Sequence, residues 1–169
     1  MIRSEILRDI APVLCDHLVI CNIGLPSQEL HMIDDQPTNF YMLGTMGLSS
    51  SIGLGLALAQ PKTVISIDGD GSVLTNLGTL PTIANNVADN YILMIIDNGS
   101  YGSTGDQPTY AGKKTKLKAV ETEGYLPVLV LTADPALKVR ALNAGGVSGY
   151  GGPATVTVTG GATKAKGRV

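Results

Sequence analysis

Gly69 to Gly105 reads GDGSVLTNLGTLPTIANNVADNYILMIIDNGSYGSTG, and its punctuation decides the fold. Val64 to Ile67, just before it, is a short apolar run bounded by turn residues, the pattern of a central parallel strand. Tyr91 to Ile96 is a second such run, and a helix is expected between the two. Asn76 or Thr79 can cap that helix. A Thr79 start keeps Pro81 within the first turn, where proline is tolerated, and is favoured for the regular part. Strand, helix and strand in this order make a parallel α/β sheet the natural architecture.

Each strand ends in acid and glycine: Asp68-Gly69-Asp70-Gly71 after the first, Asp97-Asn98-Gly99 after the second. In open α/β sheets ligands lie at the carboxyl ends of neighbouring strands. Glycines let the backbone approach an anion, and a following helix adds its positive end. The Asp70 carboxylate repels a bare phosphate, so a bridging hard cation resolves the conflict. Mg²⁺ with oxygen ligands suits Asp70, the neutral amide oxygen of Asn98 and a backbone carbonyl in the turn Gly99-Ser100. Taken singly, Asp70 and Asp97 read equally well as caps of turns at strand ends.

The chain has 169 residues, 44% of them hydrophobic and 15% charged, so one domain with a buried core is expected. Twelve basic and 14 acidic residues leave a formal net charge of −2 and no electrostatic footprint for nucleic acid or an anionic membrane. Aromatics make up 4%, with one Phe and no Trp, which weakens the case for a base-stacking surface. The N-terminal MIRSEILRDIAPVL alternates charged and apolar groups at helical spacing, unlike a signal peptide, and no stretch is long enough to cross a bilayer. A cytoplasmic location is the resulting expectation. Cys15 and Cys21 have no partners at metal-ligand spacing and read as buried thiols.

Outward from the central run, Ile2, Ile6, Leu7, Ile10 and Leu14 predict an amphipathic first helix ending near Pro12 or a little past it. Leu18 to Ile23 reads as a strand, Ser27 as the cap of a brief helix through Leu30, and Asp34 to Asn39 as a surface loop. Phe40 to Leu43 is a short strand leading into the loop Gly44-Thr45-Met46-Gly47. Leu48 to Ala59 follows as a helix in which Gly53 and Gly55 imply close packing. Asn98 to Lys118 is loop-like, and its lysines 113, 114, 116 and 118 read as a solvated face ahead of a phosphate contact. Val128 to Leu131 is a further strand, Pro135 opens a helix to about Asn143 capped by Asp134, and Ala154 to Thr159 is a final edge strand. One domain over residues 1–160 and a flexible tail over 161–169 are expected.

The segment from Gly69 to Asn98 resembles the diphosphate-binding motif of thiamine diphosphate enzymes, which opens with GDG and closes about thirty residues later with an asparagine pair or Asp-Asn. More narrowly, three stretches resemble the beta subunit of sulfopyruvate decarboxylase and the related phosphonopyruvate decarboxylases. They are Cys21-Asn22-Ile23-Gly24-Leu25-Pro26-Ser27-Gln28-Glu29-Leu30, Asn39-Phe40-Tyr41-Met42-Leu43-Gly44-Thr45-Met46-Gly47 and Tyr101-Gly102-Ser103-Thr104-Gly105. The match covers most of residues 1–118. Leu126 to Ala133 and the helix expected after it also resemble a strand–helix unit of response-regulator receiver domains, and Gly152 to Val158 again resembles the last strand of the thiamine domain.

The resemblance implies a three-layer α/β/α fold with a mostly parallel sheet that binds thiamine diphosphate and Mg²⁺. It implies that Asp70 and Asn98 hold the metal by side chain and Ser100 by its carbonyl. Gly69, Gly71 and Ser72 would line the diphosphate, with Tyr101 beside the cofactor. Gly44, Thr45 and Met46 would hold the aminopyrimidine, Met46 as an apolar wedge; an ordinary core methionine is the other reading of that residue. The implied activity is decarboxylation of a 2-oxo acid, sulfopyruvate or phosphonopyruvate. In this family the glutamate that activates the pyrimidine comes from a separate pyrimidine-binding domain, so an alpha subunit is the implied partner and the assembly a hetero-oligomer. Glu29, Glu121 and Glu123 follow the first helix, and no motif gives any of them that role.

Overall fold

The computed structural model describes residues 3–86, 89–115, 117, 128–132, 138–143 and 155–159. Its centre is a five-stranded parallel sheet built from β1 (Leu18–Cys21), β2 (Asn39–Tyr41), β3 (Val64–Gly69), β4 (Tyr91–Asp97) and β7 (Val128–Thr132), in the order β2-β1-β3-β4-β7. Helices α1 (Arg3–Leu14), α2 (Leu25–Ile33), α3 (Ser49–Ala59), α4 (Asp70–Thr75) and α5 (Thr79–Asn86) accompany it, with a small hairpin of β5 (Ser100–Tyr101) and β6 (Gln107–Pro108) beyond β4.

Side chains of a strand alternate between faces, and β4 is buried on both. Ile92, Met94 and Ile96 join Ile65, Ile67, Val19 and Cys21 in one apolar cluster, closed by Ile6, Leu7, Ile10 and Leu14 of α1 and Leu30 of α2. Tyr91, Leu93 and Ile95 join a second cluster with Leu54 and Ala57 of α3, Val73 of α4, and Leu80 and Ile83 of α5. The result is the three-layer α/β/α architecture: α1 and α2, then the sheet, then α3 to α5.

Strand order reverses between β1 and β3. From β1 the chain steps outward to β2, returns through α3 to the other side of β1 as β3, and continues to β4 and β7. The loops leaving β1 and β3 therefore diverge. That divergence opens a crevice at their carboxyl ends, the usual ligand position in such sheets.

Several expectations change. The glycine run after β3 is not a loop, since α4 begins at Asp70 with Gly69 capping it in an extended conformation; α5 starts separately at Thr79 with Pro81 in its first turn, as the sequence favoured. Ser27 does not cap α2. Gly24 does, at φ 79°, while the Ser27 hydroxyl donates to the carbonyls of Asn22 at 2.7 Å and Cys21 at 3.1 Å, tying α2 back to β1. Only Cys21 of the two cysteines is buried, with its thiol pushed up to about 12 chiefly by burial; Cys15 is exposed at the end of α1.

Lys138–Asn143 forms strand β8, not the end of a helix, and pairs antiparallel with β9 (Thr155–Thr159). Helical propensity is a weak prior, and a β-rich partner strand, Thr-Val-Thr-Val-Thr, overrides it by cross-strand pairing. β9 accordingly pairs with β8 and not with the edge of the main sheet. The expected cap and start of that helix, Asp134 and Pro135, and the tail expected over residues 161–169 lie outside the described residues.

Candidate active site

A cavity of about 190 Å³ occupies the crevice between the β1 and β3 loops. Three stretches wall it: Asn22 to Gly24 after β1, Asp68 to Ser72 across the β3–α4 junction, and Asn98 with Ser100 to Thr104 after β4. Arg3, Pro26, Met46 and Ile96 complete the lining among the described residues. Of the residues singled out in the sequence, Gly69, Asp70, Gly71, Ser72, Asn98, Ser100, Tyr101 and Met46 line this one cavity. Gly44 and Thr45 do not.

Asp70 is 1% exposed. Burial, reinforced by the negative charge of Asp97, holds its carboxyl above the usual carboxylate range, against the pull of the Thr109 hydroxyl. That hydroxyl donates to Asp70 Oδ2. The Asn98 amide faces Asp70 Oδ1 and the Ser100 carbonyl. With its nitrogen on that side it donates to them at 3.1 and 3.0 Å. With its oxygen on that side, the amide oxygen faces two further acceptor oxygens, an arrangement that a cation relieves. Oxygens about 3 Å apart are also what octahedral Mg²⁺ requires, since bonds of about 2.1 Å at right angles subtend about 3 Å. The donor set therefore fits a hard cation. Among the described residues no group of three or more His, Cys, Asp or Glu side chains converges, so one carboxylate, one amide and one carbonyl would be the protein's share.

The glycines make room more than they make turns. A Cβ on Gly71 would lie 2.3 Å from Cε1 of Tyr101 and 2.9 Å from Cγ2 of Thr109, so Gly71 lets the Tyr101 ring lie against the start of α4. Neither Gly69 nor Gly71 has a positive φ. Gly47 does, at 79°, and a Cβ there would lie 2.9 Å from the Ser72 carbonyl and 2.7 Å from the Asn76 Cβ. Its N–H donates to Ser72 Oγ at 2.7 Å, and Asn76 Nδ2 donates to its carbonyl at 2.8 Å. The loop carrying Met46 is thus clamped onto α4. Thr45, just before Met46, has φ 64°, a left-handed conformation unfavourable for a β-branched residue. Met46 is 37% exposed on the cavity wall, which removes the core-methionine reading.

Sequence reasoning missed four residues here. Thr109 is fully buried, and its N–H also donates to the Gly99 carbonyl at 2.9 Å; only the folding back of the chain after β5 brings it under Asp70. Asp68 is 1% exposed, accepts from Ser49 Oγ at 2.6 Å and from the Gly69 N–H at 2.9 Å, and is held above the usual carboxylate range by burial. Asn22 receives a hydrogen bond from Ser72 Oγ at 3.3 Å, linking the β1 and β3 loops. Arg3 reaches the cavity from α1 and grips Glu29 through two hydrogen bonds of 2.7 and 2.8 Å. Glu29 is therefore engaged, while Glu121 and Glu123 lie outside the described residues. Asp68 and Asn22 carried a signal, since each sits at a strand end beside the glycine loops.

Among the described residues no helix is long and apolar enough to cross a membrane. The family model described as thiamine pyrophosphate enzyme, C-terminal TPP binding domain, matches residues 25–161. Sulfopyruvate decarboxylase subunit beta of Methanocaldococcus jannaschii is 58% identical over 119 residues, which cover 70% of this chain and 63% of that protein. The protein of the same name from Methanococcus maripaludis is 54% identical over 109 residues, covering 64% of this chain and 59% of that protein. A phosphonopyruvate decarboxylase of Streptomyces viridochromogenes is 34% identical over 161 residues, covering 86% of this chain and 41% of that protein. The matches thus span about six tenths of the length of the two beta subunits. With residues 25–161 matched, more than half of its length, the chain belongs to the thiamine pyrophosphate enzymes and carries their C-terminal TPP-binding domain.

Proposed function

We propose that this chain is the diphosphate-gripping half of a thiamine diphosphate- and Mg²⁺-dependent 2-oxo acid decarboxylase that converts sulfopyruvate to sulfoacetaldehyde and CO₂. One observation carries the reading: Asp70, Asn98 and the Ser100 carbonyl converge at the sheet's switch point beside the glycine-lined start of α4. The names of the two beta-subunit relatives supply the reaction class and the expectation of an alpha partner.

Thiamine supplies the carbanion and the electron sink; the protein's share is to bind, orient and exclude water. Asp70 would hold the cation with its Oδ1, while Thr109 donates to its Oδ2 and fixes the carboxylate. Asn98 would present its amide oxygen to the cation; with the nitrogen on that side it donates instead to Asp70 Oδ1 and the Ser100 carbonyl. The first N–H groups of α4 have no partners within the helix, the arrangement by which helix starts meet phosphate oxygens. Met46 presents its thioether from a clamped loop as an apolar support for the cofactor, next to Gly44 and Thr45, whose backbone would meet the aminopyrimidine. The acid that activates the pyrimidine would come from the alpha subunit, since the Glu29 carboxylate is taken by Arg3.

Phosphonopyruvate is the second candidate substrate, favoured by the longer match to the Streptomyces enzyme, over 86% of this chain. Co-purification with a candidate alpha subunit, followed by CO₂ release from both 2-oxo acids, separates the two. Release from sulfopyruvate that needs Mg²⁺, the cofactor and the alpha subunit is the expected result. No binding of thiamine diphosphate, with or without Mg²⁺, would reduce the chain to a phosphate-binding module without catalysis.

A further inference from the structure

On the reading of the cleft as a diphosphate site, we infer that Arg3 is a further binding residue, whose guanidinium takes the terminal phosphate of the diphosphate. Arg3 opens α1, where a cation opposes the helix macrodipole, so the helix itself gives no reason for its presence. Its side chain is 15% exposed, and a cation so withdrawn from water needs compensation. Glu29 of α2 provides part of it, accepting from Nε at 2.7 Å and from Nη2 at 2.8 Å. That fork aims the guanidinium and leaves Nη1 over. Among the described residues Nη1 has no hydrogen-bond partner, and it lies 3.4 Å from where a Cβ on Gly102 would stand.

Nη1 thus stands against the wall of the cleft that follows β4, the wall that also carries Asn98 and Ser100. Charge points the same way. Among the described residues Arg3 is the only Lys, Arg or His side chain in the cavity lining, against the carboxyl groups of Asp68 and Asp70. A diphosphate brings more negative charge than one divalent cation cancels once Asp70 is counted, so the bound site retains an anionic excess. An arginine held by a fork and offering spare N–H groups is well suited to a phosphate oxygen. Glu29 is the positioning residue in this arrangement, and Arg3 the one that touches the ligand.

The test is titration calorimetry with thiamine diphosphate and with thiamine monophosphate at saturating Mg²⁺, on the chain together with its alpha subunit. The unaltered protein should prefer the diphosphate. Arg3→Gln should reduce that preference about ten- to hundredfold, the range expected for one charge-assisted hydrogen bond, and Arg3→Lys should recover part of it. Glu29→Gln, which frees the guanidinium without removing it, should give a smaller loss of the same preference. A purely structural role would weaken both ligands alike and leave the ratio intact. Undiminished preference in Arg3→Gln, or a change confined to KM for the 2-oxo acid, would overturn the assignment while leaving the diphosphate reading standing. Absence of Mg²⁺-dependent binding by the unaltered protein would remove both.

Discussion

Asp70 is a carboxylate placed where a carboxylate is unwelcome. Its folded pKa is raised, so ionising it costs the fold: its contribution to stability is best below the ordinary carboxylate range and declines as pH rises through the folded value. A cation reverses this by favouring the ionised form. The Mg²⁺-induced rise in melting temperature should therefore be small at the acid end and grow as pH passes upward through that value. Asp70→Asn should abolish the Mg²⁺ response and, without metal, leave the protein unchanged or more stable by about 0.5–2 kcal/mol at neutral pH, as removal of a functional strain often does. Thermal melts of both proteins with and without Mg²⁺ over a pH series check both statements. A persisting Mg²⁺ shift in Asp70→Asn would place the cation elsewhere.

Gly71 is decided at the same scale. A methyl group there meets the Tyr101 ring and the Thr109 methyl, so Gly71→Ala should destabilise by about 1–3 kcal/mol in spite of alanine's better helix propensity. Denaturant unfolding, read with tyrosine absorbance as a probe of the Tyr101 ring, measures both the cost and the displacement.

Among the elements, α3 shows where sequence reasoning can count glycines but not weigh them. Both Gly53 and Gly55 were expected to mark close packing. Only Gly53 does: a Cβ there would lie 1.9 Å from Ser66 Oγ and 2.9 Å from Cε2 of Tyr91, so α3 lies directly on β3 and β4. Gly55 faces outward with nothing within 4 Å. Opposite outcomes follow for the same substitution two residues apart. Gly53→Ala should cost about 1–3 kcal/mol from overpacking, and Gly55→Ala should gain about 0.5–1 kcal/mol from helix propensity. Paired urea titrations test this, and equal effects of one sign would mean that α3 is rotated from its position here.

At the scale of the molecule, apolar side chains that the described residues leave uncovered stand on β2 and on the segment leading from it to Met46 on the cleft wall. Leu43, on the segment after β2, is fully exposed, and Phe40 is 52% exposed. The proposed alpha subunit accounts for such exposure, because the missing acid must arrive at this mouth. Leu43→Lys should leave the unfolding free energy of the chain within about 0.5 kcal/mol, as surface changes do, and weaken assembly with the alpha subunit. Sedimentation velocity on mixtures would show it. Unaltered assembly would move the interface to another face.

The sequence by itself determined the alternation of strand and helix, the parallel sheet and the two acid-and-glycine strand ends, because those are written in local hydrophobic period and turn chemistry. That Asp70 and Asn98 would stand close together was legible for the same reason: they follow strands, and strand ends converge in such a sheet, whereas Ser100 in particular came from the family resemblance. Only the tertiary structure decided which groups meet them. Thr109 lies beneath Asp70 because the chain doubles back after β5, and Arg3 enters the cleft because α1 packs against α2, contacts between residues 39 and 26 positions apart that no local pattern encodes. It likewise decided that Lys138–Asn143 is a strand, since pairing with Thr155–Thr159 outweighs a helical preference worth only tenths of a kilocalorie per residue, about 0 to 0.7 kcal/mol.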